Sequence, residues 1–124
     1  MEVISSGHSG AIALGVYRED SALERIAGYE GSSWGYHGDD GKKFDAASQG
    51  QPYAEIFGNG DIIGCRVEMS SGKLEYFKNG RSLGVAFTNV HGFVFPVVDI
   101  GSYGAHIRVD FRPHTESWSG ESEV

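Results

Sequence analysis

The sequence predicts an all-β fold, a sandwich of two antiparallel sheets, from three observations. Apolar residues alternate with others at a period of two in one short run after another, which is the pattern of half-buried strands. Nineteen glycines against three prolines fall between those runs rather than in a low-complexity block, as tight turns between strands require. The segment "FKNGRS" sets Asn79-Gly80 between two β-rich runs, where Asn-Gly readily takes the positive φ angles of a type I′ hairpin turn.

Each element follows in order. "AIALGV" places Ile12, Leu14 and Val16 on one face. "DSALERIAG", residues 20–28, has the composition of one or two helical turns ended by Gly28. Asn59-Gly60 reads as a turn, and Asp61 opens a strand in which Ile63, Cys65, Val67 and Met69 share a face. The Asn79-Gly80 hairpin comes next. "FVFPVVDI" is continuously apolar, like a strand covered on both faces, although Pro96 requires an edge or a bulge. "HIRVDF" directs Ile107, Val109 and Phe111 inward, with Arg108 and Asp110 outward. Residues 112–124 are polar and aperiodic, so they are expected to form a mobile tail after a single domain spanning 1–111. Trp34, Phe44, Phe57, Phe77, Phe87, Phe95 and Phe111 are the expected core aromatics.

Charge narrows the function classes. Ten Lys and Arg against 17 Asp and Glu leave a formal net charge of -7, which disfavours both nucleic acid and anionic lipid as partners. No apolar run approaches the roughly 20 residues that span a bilayer. "MEVISSGHSG" lacks the basic start and apolar centre of a signal peptide. Cys65 is the single cysteine, so an internal disulfide is impossible and a reducing compartment, cytoplasmic or nuclear, is expected.

Several stretches imitate catalytic or ligand motifs. "GSSWG", residues 31–35, spells the G-x-S-x-G of a nucleophile elbow, but that turn needs a helix leaving it, and "YHGDDG" starts none readily. "GNGDIIG" spaces its glycines G-x-G-x-x-x-G and leads into a strand, without the helix N-terminus that binds a phosphate. His8, His37, His91, His106 and His114 show no zinc spacing, and Cys65 has no partner cysteine. His37, Asp39 and Asp40 could hold a hard ion weakly, and no metal or cofactor is expected. Cys65, mid-strand and inward, reads as a structural thiol.

Four segments, "SSWGYHGDDGKKF", "YAEIFGNGDIIGC", "LEYFKNGRSLGVAF" and "VFPVVDI", together carry a resemblance. In this order and spacing they resemble the SPRY domain, the core of the PRY–SPRY family, in the type found in Ran-binding scaffold proteins. The resemblance covers about residues 2–111. It implies a bent sandwich without catalytic activity that binds proteins, usually short extended peptide segments, through loops at one end. It also implies a place in a scaffold or in the substrate-recognition part of a ubiquitin ligase. Family members usually carry strands before the segment matching "MEVISSG". The chain is therefore expected to lack an outer strand, and an otherwise monomeric domain would have an edge open to self-association.

The family's peptide-contacting tyrosine carries over to Tyr36 or His37. Asp39 and Asp40 would add charge that attracts a basic or amide-rich peptide, or would cap their turn through Asx hydrogen bonds. The resemblance puts the loop after the first strand, with Arg18, Glu19 and Asp20, beside the same surface. Tyr53, Ser102 and Tyr103 complete the candidates; burial under a loop is the competing reading for Tyr53, and exposure is expected for Tyr103. A lectin-like carbohydrate-binding domain is the alternative, on fold analogy alone.

Overall fold

The computed structural model describes residues 1–19, 33–45 and 50–110. The short helix expected over 20–28 and the tail expected over 112–124 lie outside the described residues, as do Asp20 and Phe111. Ten strands occur among the described residues: β1 (Glu2–Ser5), β2 (Ile12–Arg18), β3 (Ser33–His37), β4 (Lys42–Asp45), β5 (Gln51–Pro52), β6 (Ile63–Glu68), β7 (Lys73–Lys78), β8 (Arg81–Phe87), β9 (Val94–Ile100) and β10 (His106–Arg108).

All strand pairs are antiparallel, as the alternation and tight turns predict. One sheet has the order β5-β4-β3-β2-β9. Facing it, β6-β7-β8 continues into the β1-β10 pair through a Glu2–Ile62 bridge and through the Val3 amide, which donates to the Asp61 carbonyl at 2.9 Å. The core lies between these layers. Leu14, Val16, Trp34 and Tyr36 from the first sheet meet Val3, Ile63, Leu74 and Tyr76 from the second. Across that interface the Tyr76 hydroxyl donates to the Leu14 carbonyl at 3.0 Å. The expected two-layer all-β architecture is present.

The β7–β8 hairpin turns at Asn79 (φ 53°) and Gly80 (φ 84°), with Lys78 opposite Arg81. Both central residues take the positive φ of a type I′ turn, which glycine and asparagine tolerate best. Asn79 has a second role, since its side chain accepts from the Ile62 amide and donates to Asp61.

The local expectations for β2, β9 with Phe95, Met69 and Val109 need correction. β2 is buried on both faces, because Ala13 and Tyr17 are as enclosed as Ile12, Leu14 and Val16. β9, expected to be covered on both faces, is an edge strand among the described residues; Phe95 is 38% exposed and is not a core aromatic. Its continuous apolarity misleads about burial, whereas Pro96 correctly marks the edge. Met69 lies past the end of β6 and is exposed, and Val109 past β10 is exposed too. Cys65 lies against the core on β6, where burial pushes its thiol up to about 11, so it is a poor nucleophile at neutral pH.

Candidate functional site

Strand alternation decides the place of each candidate. On β3, Trp34 and Tyr36 point into the core, while Ser33 and His37 face the other side. Tyr36 is fully enclosed, its ring 5.0–5.3 Å from those of Phe57, Tyr76 and Tyr53, and its hydroxyl donates to the Glu55 carbonyl at 2.5 Å. Burial raises its pKa. His37 is also buried and stacks on Phe44 with centroids 3.8 Å apart. Neither ring presents a surface in this conformation, so the expected direct contact is replaced by a supporting role. The strand simply continues to His37, and the loop begins only at Gly38.

That loop, Gly38 to Gly41, closes through the Gly41 amide donating to the His37 carbonyl at 3.0 Å. Asp40 caps it, accepting from the Lys42 amide at 2.9 Å, as an Asx turn does. Asp39 is exposed, and among the described residues its carboxylate has neither a hydrogen bond nor an ion pair. Ligand-capable atoms of His37, Asp39 and Asp40 lie within 4.8 Å of one another. Turn capping and the stack on Phe44 account for two of these three groups, so no ion is needed to explain the arrangement.

Asp39 borders a groove of about 440 Å³ built from three segments: the β1–β2 loop at Ser6, Ser9 and Gly10, the Gly38–Asp39 turn, and residues 56–61. Phe57 is its buried floor, and Ile56, 61% exposed, is its apolar wall. Gly38 has to be glycine here, since a Cβ would lie 2.7 Å from the Phe57 ring. The remaining polar groups are paired within the protein. Asn59 accepts from the Ser6 amide at 2.6 Å, and Asp61 accepts from the Gly58 amide at 2.9 Å. Lys78 donates to the Ile56 carbonyl at 3.0 Å and lies 3.7 and 3.9 Å from Glu55 and Asp61.

The turn that carries Ser102 and Tyr103 flanks the same end. Ser102 is buried; its hydroxyl accepts from the Ser9 and Gly10 amides at 3.0 and 3.2 Å and donates to the Ser6 carbonyl at 2.7 Å. It therefore fixes the β1–β2 loop rather than meeting a partner, which corrects its assignment as a contact residue. Tyr103 is 85% exposed, as expected, with its ring 5.7 Å from that of His8. Tyr53 is half-buried between Tyr36 and Tyr76 and donates to the Gly84 carbonyl at 2.5 Å. Burial pushes its phenol up to about 12.

Arg18 and Glu19 do not join this group. Ala13 pairs with His37 but Tyr17 pairs with Ser33, so the loop after β2 lies at the opposite end of the pair. Four residues of strand separate the two ends by about 14 Å. There, Arg18 Nη1 lies 2.6 Å from His91 Nε2, and the Glu19 amide donates to the Phe93 carbonyl at 3.0 Å. Ile56, Asn59 and the Ser6–Gly10 loop belong to the site but were not among the sequence candidates. The only local hint is an isoleucine, Ile56, placed in the glycine-rich stretch "IFGNGD".

Two antiparallel layers with a groove built from loops at one end define a β-sandwich of the loop-presenting kind. The chain belongs to the SPRY domain family, whose profile matches residues 2–113. It is 37% identical to Ran-binding protein 9 of Danio rerio over 114 residues, covering 92% of this chain and 19% of that protein. It is 36% identical to Ran-binding protein 9 of Homo sapiens, covering 92% of this chain and 16% of that one. The chain thus spans about a fifth or less of the length of these relatives. A solved structure described as "Crystal structure of human SPRY domain" superposes with a TM-score of 0.77 at 29% identity, over 83% of this chain and 68% of that one. Membership of this family and the likeness to Ran-binding proteins fit a protein-interaction module.

Proposed function

We propose that this chain is a non-catalytic module that binds a short extended peptide segment, or a protein surface presenting one, at the loop end carrying Asp39, Ile56 and Tyr103. The observation that carries this reading is the groove. It combines an exposed isoleucine, a buried aromatic floor and an unpaired carboxylate on loops that are held by their own hydrogen bonds. A preformed groove spares a ligand the cost of ordering the loops. Asp39 and Tyr103 supply direct contacts, Asp40 adds charge at the rim, and Tyr36, His37, Tyr53 and Ser102 hold the surface from below. Arg18 and Glu19, at the other end of the β2–β3 pair, have no part in this groove.

The module acts as a monomer within a scaffold or a ligase substrate-recognition part, in the cytoplasm or nucleus. Its relatives' names and the lone, weakly reactive Cys65 support this placement. Its net charge of -7 supports protein rather than nucleic acid or membrane as partner. The test is peptide-display selection on the wild-type domain, counter-selected on a folded Asp39→Ala, Ile56→Ala double variant. A consensus enriched on wild type alone is the expected result. Equal enrichment on both proteins, or binding of glycans in place of peptides, would overturn the reading.

A further inference from the structure

Resting on that reading, we infer that the groove selects an extended segment in which a lysine or arginine stands within two residues of an aliphatic side chain. The argument starts from what the groove leaves unused. The carboxamide oxygen of Asn59, the carboxylate of Asp61 and the ammonium of Lys78 are already paired within the protein. The lining's exposed apolar side chain and its one carboxylate without a hydrogen bond or ion pair among the described residues, those of Ile56 and Asp39, border the same groove. An apolar wall beside a free negative charge recognises an aliphatic group and a cation together.

Alternate residues of an extended chain share a face and lie about 7 Å apart, which suits two subsites in one groove of this size. Charge complementarity favours the same occupant. Asp39 and Asp40 are exposed side by side at the rim with no ion-pair partner among the described residues, while Lys78, the cation in the groove lining, is paired with Glu55 and Asp61. An acidic segment would meet like charge at Asp39 and Asp40, so the groove discriminates by repulsion as well as attraction.

The test selects a randomised octapeptide library on wild type, on Asp39→Lys and on Ile56→Ser. Both positions are exposed, so the variants should melt within about 2 °C of wild type. Wild type is expected to enrich Lys or Arg near Leu, Ile or Val. Asp39→Lys is expected to lose the basic preference but keep the aliphatic one, and Ile56→Ser the reverse. A synthetic peptide of the enriched sequence should bind Asp39→Lys about tenfold or more weakly than wild type. Its wild-type affinity should fall several-fold as salt rises from roughly 20 to 200 mM. A wild-type consensus without a basic residue, or a basic consensus unchanged by Asp39→Lys, overturns this inference and leaves peptide binding standing. Absence of any consensus on wild type overturns both.

Discussion

The hydroxyl of Tyr76 on β7 reaches across the core to the backbone carbonyl of Leu14 on β2, tying the two sheets with a 3.0 Å hydrogen bond. Tyr76 is wholly buried, so its hydroxyl has no water to turn to. Tyr76→Phe keeps the ring and removes that bond, and should cost about 1 kcal/mol in urea unfolding. Tyr76→Ala also opens a cavity and should cost about 3–5 kcal/mol.

Tyr36, Tyr53 and Tyr76 form a packed triad, and burial raises the pKa of all three. The folded state therefore favours the neutral phenol, whereas the unfolded chain ionises near the ordinary value of about 10. Stability from this source is complete below about pH 10 and is lost as pH rises through the folded-state values, with Tyr53 at about 12. Melting temperature should be flat to about pH 9.5 and then fall. Ultraviolet titration should show these phenolates appearing only as the fold is lost.

Ser102 gathers three backbone groups of the Ser6–Gly10 loop onto one hydroxyl. Ser102→Ala leaves two amides and a carbonyl short of that partner and should cost about 1–3 kcal/mol. Hydrogen exchange should quicken at the Ser9 and Gly10 amides before it changes in β7.

Edge protection gives a further prediction. The Glu19 amide donates to the Phe93 carbonyl and the Gly101 amide to the Ala11 carbonyl, so the odd-numbered residues of β9 turn their backbone groups toward β2. Val94, Pro96, Val98 and Ile100 then face the side of β9 that no described strand pairs with, and Pro96 removes a donor from its middle. On β8, an outer strand of the other sheet, Lys43 and Tyr53 cap the carbonyls of Ala86 and Gly84. Pro96→Val should restore the donor and promote self-association, seen as a concentration-dependent mass in light scattering. An unchanged monomer at high concentration would contradict this role for Pro96.

The sequence made the fold legible wherever the signal was local. The Asn79-Gly80 hairpin needs only its own backbone preferences, and it appears at the expected register. Tyr36 was misplaced although the period-two rule already contained the answer, since a strand that buries Trp34 also buries Tyr36 two residues on. Arg18 was misplaced for a topological reason: in an antiparallel pair the loop after β2 and the loop after β3 lie at opposite ends. Ile56 and Asn59 were not legible at all. Their role depends on loops more than 15 residues away meeting them, as Ser6 meets Asn59 across a separation of 53 positions.

The most direct test of the central claim is a chemical-shift map of the ¹⁵N-labelled domain titrated with a peptide enriched by the display selection. The account predicts that the largest changes fall on the Ser6–Gly10, Gly38–Gly41 and 56–61 amides, with Tyr103 affected and Arg18, Glu19 and Phe93 unmoved. Changes centred on Arg18 and Phe93 would place the binding surface at the other end of the sandwich and contradict it.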